Sequence, residues 1–123
     1  MLKGSKTAEN LMKSFAGECQ ARTRYTYYSS IAKKEGYIQI ANIFMETAEQ
    51  EKEHAKIFLK FLKSEYNDEE IEIKASYPVA LHEETKNNLM KAADGENAEW
   101  TKDYPQFAQI AKKEECKKNK KLC

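Results

Sequence analysis

The chain has 123 residues, 41% hydrophobic and 33% charged, with four glycines, two prolines and a net charge of +1. That length bounds it to one ordinary domain, and that composition belongs to long water-facing helices, not to a β protein. No run of 18 apolar residues occurs, so no membrane association is expected, and the N-terminus MLKGSKTAENLMK lacks the apolar stretch of a secretory signal. Cys19, Cys116 and Cys123 form neither a CxxC pair nor an even disulfide set, which fits a reducing, cytoplasmic setting.

The first predicted helix starts after Ser5 or Thr7, either of which can cap it, and runs to about Glu35, where Gly36 closes it. Its inward stripe passes through Leu11, Phe15, Glu18, Arg22, Tyr25, Ser29 and Ala32. A second helix runs from about Tyr37 to Ser64, with Ile40, Ile43, Phe44, Ala48, Glu51, Ala55, Phe58 and Leu62 at spacings of three and four. Residues 65 to 80 have no helical period. A short alternation at Ile71, Ile73 and Ala75, then Pro78, reads as a long crossover. The third helix begins near Val79 to His82 and follows Leu89, Ala92 or Ala93, Glu96, Glu99 or Trp100, Asp103, Phe107 and Ile110, with Pro105 expected to kink or split it. Residues 112 to 123 hold six Lys and two Glu, leaving a net charge of −3 on the rest. Without an aromatic platform this tail reads as a solvated, frayed terminus and not as a nucleic-acid surface.

These elements are related by an internal repeat. TAENLMKSFAGE at Thr7 to Glu18 matches TKNNLMKAADGE at Thr85 to Glu96 in seven of twelve positions, at a shift of 78. IAKKE then recurs at Ile31 to Glu35 and Ile110 to Glu114, one residue further out of register. Two hairpins joined by a long crossover describe an all-α, ferritin-like bundle. Only three of its helices are legible, so one side of the bundle is expected to expose apolar surface or to be completed by oligomerisation.

Glu18 and Glu51 stand in the middle of apolar stripes, where an unpaired carboxylate costs several kcal/mol unless a partner or a metal neutralises it. His54 follows Glu51 by three residues and therefore shares its face. Glu96 repeats Glu18, and Glu99 adds a carboxylate one turn on. Carboxylates can bridge two iron ions and an imidazole can complete one of them. The four-helix di-metal pattern takes one Glu from each of two helices and an ExxH from each of the other two. Here both single-Glu helices and one ExxH, Glu51 to His54, are present; a second would fall near positions 130 to 133. Taken alone, EQEKEH is equally a charged surface, and Glu99 an ordinary acid beside Trp100. The repetition of GE at one depth in both copies favours the metal reading. His82 reads as a surface or capping residue and Cys19 as structural. Tyr25 and Tyr104 are candidates to donate hydrogen bonds to ligating carboxylates, against the plainer reading as core rings.

Residues 2 to 63, including KTAENLMKSFAGECQARTRYTYYSSIAKKEGYIQIANIFMETAEQEKEHAK, resemble the N-terminal half of a rubrerythrin, and GENAEWTKDYPQFAQIAKKE at 95 to 114 resembles the start of its second hairpin. The resemblance implies a non-haem di-iron centre held by Glu18, Glu51, His54, Glu96 and Glu99, with Glu51 bridging. One iron then moves between Glu99 and His54 as the oxidation state changes. It also implies reduction of hydrogen peroxide to water in oxidative stress protection. Electrons would come from an external rubredoxin-like donor, because no paired CxxC module is present. The resemblance divides the chain into an incomplete di-iron domain at 1–114 and an atypical Lys-rich tail at 115–123, truncated before the fourth helix. A homodimer or higher homo-oligomer would restore a six-ligand set from two copies of Glu18, Glu51 and His54. The alternative is an inactive or weakly iron-binding helical interaction protein.

Overall fold

The computed structural model describes residues 2–77 and 79–118. Pro78, the side chain of Cys116 and the end of the Lys-rich tail with Cys123, all singled out above, lie outside the described residues. Helix α1 (Lys6–Lys34) is capped by Ser5, not Thr7: the Ser5 hydroxyl oxygen accepts the Ala8 N–H at 3.1 Å. Glu114 adds an anion at the same end, accepting the N–H groups of Lys6 at 2.9 Å and Thr7 at 2.6 Å. Gly36, at φ +89°, closes α1. Tyr37 N–H reaches the Ala32 carbonyl and Gly36 N–H that of Lys33, a left-handed stop that a side chain at position 36 would strain.

Helix α2 (Ile38–Tyr66) folds back along α1. Their shared core joins Ala21, Tyr25, Tyr28 and Ala32 of α1 to Ala41, Phe44 and Ala48 of α2. The alanines let the backbones approach, close enough for the Ser29 hydroxyl to donate to the Ala41 carbonyl at 2.7 Å. Tyr25, Tyr28 and Phe44 fill the remaining space with ring centroids 5.4 to 6.0 Å apart. Each such pair adds about 0.5–1.5 kcal/mol beyond its buried area.

The crossover contains no strand among the described residues and is pinned by side chains. Tyr28 donates to the Ala80 carbonyl at 2.5 Å and Tyr77 to that of Lys13 at 3.1 Å. Asn88 brackets the backbone of His82 from both sides, so His82 acts through its main chain. The next helix starts at Thr85, later than its apolar pattern suggests, where Glu35 accepts the Thr85 N–H and hydroxyl.

From Thr85 the chain runs as one long helix in three parts: α3 (Thr85–Ala98), a π segment (Glu99–Asp103) and α4 (Tyr104–Lys118). Pro105 does not split it. Proline lacks an N–H and its ring crowds the carbonyl four residues back, here Thr101. That carbonyl lies inside the π turn, where Tyr104 N–H already reaches five residues back to Glu99.

α1 is the central element, packing on α2 along one face and on α3 and α4 along another. Two expectations are corrected by this arrangement. Arg22 and Ile43 are exposed and Arg24 is buried. The inward face of α1 centres on Ala21, Tyr28 and Ala32, a rotation away from the stripe through Phe15 and Arg22, because it must meet two neighbours. On α2, Ile43, Ile57 and Phe61 are more than half exposed, and no described element covers them. No described helix is long and apolar enough to cross a membrane.

Candidate metal centre

Helix periodicity places Glu18 at mid-height on α1 and Glu51 opposite it on α2, 3% and 5% exposed. His54, one turn after Glu51, has a side chain 53% exposed, so the group is closed on the α1 side and open beyond α2. One donor atom from each of Glu18, Glu51 and His54 lies within 4.8 Å of the others. His54 Nδ1 stands 3.5 Å from Glu18 Oε2 and 3.6 Å from Glu51 Oε1. With ligand bonds of about 2.1 Å, two donors on one ion sit roughly 3 to 4.2 Å apart, and the His54 distances fall in that range.

The second copy of the repeat faces the first across this site. Tyr104 donates to Glu18 Oε1 at 2.5 Å, and Tyr25 donates to Glu96 Oε1 at 2.8 Å. Each copy's tyrosine thus holds the other copy's glutamate. The register makes this exchange possible: Glu18 maps to Glu96 at a shift of 78, but Tyr25 maps to Tyr104 at 79. The π segment occupies the interval between Glu96 and Tyr104, where a π turn absorbs one residue without breaking the helix. The extra residue in the repeat therefore has a structural location, and Glu99 sits on it.

Glu99 is half-buried and lines a cavity of about 590 Å³ together with Gly17, Tyr77, Gly95, Asp103 and Tyr104. It is not among the three residues whose donor atoms converge, and neither is Glu96. Both act on the cluster through their charge. Burial pushes the Glu99 carboxyl up to about 7, reinforced by Glu96, Glu18 and Asp103 and opposed by Arg24. Glu51 is raised well above the carboxylate range, first by burial, then by the adjoining Glu18 carboxylate and the charges of Glu96 and Glu99. The Tyr25 and Tyr104 phenols are raised by burial and by donating to carboxylates, so both stay protonated donors at neutral pH.

The donor set fits a cationic metal centre. Glu18 Oε2 and Glu51 Oε2 are buried without a hydrogen-bond partner, although each faces the cluster centre rather than solvent. A buried carboxylate oxygen left unsatisfied costs about 1–3 kcal/mol or more, and a cation between the two would offset it. Oxygen and imidazole donors in this combination suit first-row divalent ions. Sequence reasoning passed over Arg24, the buried cation of this region, because a charged residue beside a tyrosine reads as surface. The recurrence of Ala21, Tyr28 and Ala32 around it was the available signal.

Comparison with known proteins agrees with this geometry. The family model described as rubrerythrin matches residues 9–123. A rubrerythrin of Clostridium perfringens is 66% identical over 113 residues, covering 92% of this chain and 58% of that protein. Rubrerythrin-1 of Clostridium acetobutylicum is 64% identical, again over 92% of this chain and 58% of its own length. The rubrerythrin of Nitratidesulfovibrio vulgaris is 49% identical over 92% and 57%. The chain thus spans a little over half the length of these relatives. Rubrerythrins bind non-haem di-iron, the cofactor that suits these carboxylate and imidazole donors, and the chain belongs to the rubrerythrin family.

Proposed function

We propose that this chain is a non-haem di-iron peroxidase of oxidative stress protection, reducing hydrogen peroxide to water with electrons from an external rubredoxin-like donor. The observation that carries the reading is the convergence of Glu18, Glu51 and His54 around two orphaned carboxylate oxygens. Glu51 is the bridging ligand, Glu18 and Glu96 are the terminal carboxylates, and Glu99 and His54 serve as alternative ligands to one ion. When bound, ferrous iron supplies the two electrons that, with two protons, convert hydrogen peroxide to two waters.

The chain's own residues prepare the site for that chemistry. Tyr104 and Tyr25 fix the rotamers of Glu18 and Glu96 and leave one oxygen of each free toward the cluster. Buried phenols that stay protonated stabilise the ionised carboxylates without competing as anions. Glu99, poised near 7, can hold or release a proton at the cavity wall at working pH. The cavity beside it is ample for a molecule as small as hydrogen peroxide.

The partner that completes the centre is a second copy of this chain. Its ExxH would be laid over the open α2 face, beside the half-exposed His54 and the exposed Ile43, Ile57 and Phe61. Residues 1–114 form the di-iron unit and 115–123 a tail outside it. The same apolar face supports a second reading, an inactive helical interaction protein. Ferrous-loaded protein mixed anaerobically with hydrogen peroxide separates the two. The peroxidase reading expects peroxide consumed at about one molecule per two irons and lost in Glu51→Ala. Consumption unchanged in that variant refutes the assignment of Glu51, and metal-independent assembly without consumption favours the interaction protein.

A further inference from the structure

Arg24 lies beside Tyr25 on α1 and is 5% exposed. No salt bridge joins it to a carboxylate among the described residues. Its partners are neutral. Nε donates to Gln20 Oε1 at 3.2 Å and Nη1 to the Tyr28 hydroxyl at 3.4 Å. The guanidinium carbon sits 5.0 and 5.6 Å from the ring centroids of Tyr25 and Tyr28. Cation–π contacts and two neutral hydrogen bonds compensate part of the desolvation of a buried guanidinium, typically a few kcal/mol, and not all of it.

The remaining compensation is at hand in the excess of negative charge. Glu18, Glu51, Glu96 and Glu99 influence one another's protonation across the bundle, and every acid near Glu99 raises its carboxyl while Arg24 lowers it. The repeat adds an independent observation. At the shift that maps Tyr25 onto Tyr104, Arg24 maps onto Asp103. The internal two-fold thus preserves the glutamates and tyrosines and inverts the charge next to the tyrosine. Asp103 pushes Glu99 in the direction opposite to Arg24.

We propose that Arg24 is the standing counter-charge of the carboxylate cluster, a positioning residue whose buried positive charge neutralises the cluster when it is empty and competes with a divalent cation when it fills. The inference rests on the metal centre proposed above. A purely structural Arg24, which only clamps the Tyr25 and Tyr28 rings, makes the opposite prediction: its loss would loosen Tyr25, and with it Glu96, and metal would bind more weakly.

The test is calorimetric titration of the metal-free full chain with Co(II), at fixed ionic strength, for wild type, Arg24→Gln and Arg24→Lys. Arg24→Gln removes the charge and is expected to bind Co(II) about tenfold tighter, the order expected for one unit charge acting across a partly screened interior. Arg24→Lys keeps the charge and loses the planar fork, and is expected within about threefold of wild type. Weaker or equal binding by Arg24→Gln overturns the role of Arg24. If Arg24→Gln does not fold, Arg24→Lys decides: native affinity upholds the counter-charge, and a loss of tenfold or more overturns it. A wild type that takes up no Co(II) refutes the metal centre and this inference with it, whereas a wild type that binds beside an Arg24→Gln that binds no tighter refutes only Arg24.

Discussion

Replacing Glu51 by glutamine should have opposite effects on the empty and the filled protein. Glu51 is 5% exposed, one of its oxygens has no partner, and its carboxyl is raised by burial and by Glu18, Glu96 and Glu99. A group whose folded pKa exceeds its unfolded value binds more protons in the native state, so its stabilising contribution is complete below about pH 4.5 and is lost as pH rises through the folded value. At pH 8 the metal-free wild type bears the cost of this charge. Glutamine keeps the shape, removes the charge and turns an N–H donor toward Glu18. We expect Glu51→Gln to stabilise the metal-free protein at pH 8 by roughly 1–3 kcal/mol. For a chain of this length that is on the order of 3 to 15 °C in Tm. At pH 4 the gain should vanish, since Glu51 is then neutral in both states. Divalent metal reverses the order: at a hundredfold excess over Kd the wild type gains about 2.7 kcal/mol, and the variant, lacking its bridging carboxylate, gains little. Thermal melts followed by circular dichroism, at both pH values with and without Co(II), provide the readout. A metal-free variant less stable than wild type at pH 8, or equal metal shifts in both proteins, refutes the reasoning.

Other consequences are open to the same measurements. The metal-free wild type should lose stability between about pH 4.5 and pH 7 as Glu99 ionises, by roughly 1–2 kcal/mol after screening of this half-buried group, and Glu99→Gln should flatten that part of the curve. A wild-type pH profile already flat across that window would contradict the Glu99 assignment. Tyr104→Phe removes a charge-assisted hydrogen bond from a carboxylate only 3% exposed, and should destabilise the protein by about 1.5–3 kcal/mol at pH 8. Tyr25→Phe acts on the less buried Glu96 and should cost less; the reverse order in denaturant titrations would show that the two halves of the repeat are not held as described. Gly17→Ala places a methyl 3.4 Å from the Tyr77 ring, an ordinary contact, so restored helix propensity should raise stability by about 0.5–1 kcal/mol. A loss above 1 kcal/mol in chemical denaturation would show that Tyr77 cannot yield.

Much of the site was legible because buried charge is conspicuous in a helical pattern. Glu18 and Glu51 interrupt apolar stripes, and His54 follows at one turn, which suffices to bring three donors together. The repeat gave Glu96, and its one-residue slip contained the π segment, although only the structure shows the slip absorbed between Glu96 and Tyr104 without splitting the helix at Pro105. The face of α1 was harder to read. Ala21 and Ala32 carry little hydrophobic signal, yet they define where α2 approaches, and the stripe drawn through Phe15 and Arg22 was rotated in consequence. Arg24 was hidden by its charge, and the roles of Asn88 and Glu114 by their sequence distance from the backbone groups they satisfy. The start of α3 at Thr85 depends on Glu35, fifty positions earlier, and no local pattern announces such a cap.

The central claim is that this fold is organised around iron-binding carboxylates, and anaerobic ferrous titration with metal counting tests it most directly. The account predicts saturable iron uptake by the wild type that is abolished in a Glu18→Ala, Glu51→Ala double variant whose helical content is retained. A folded wild type that retains no iron, or a double variant that retains as much as the wild type, would contradict it.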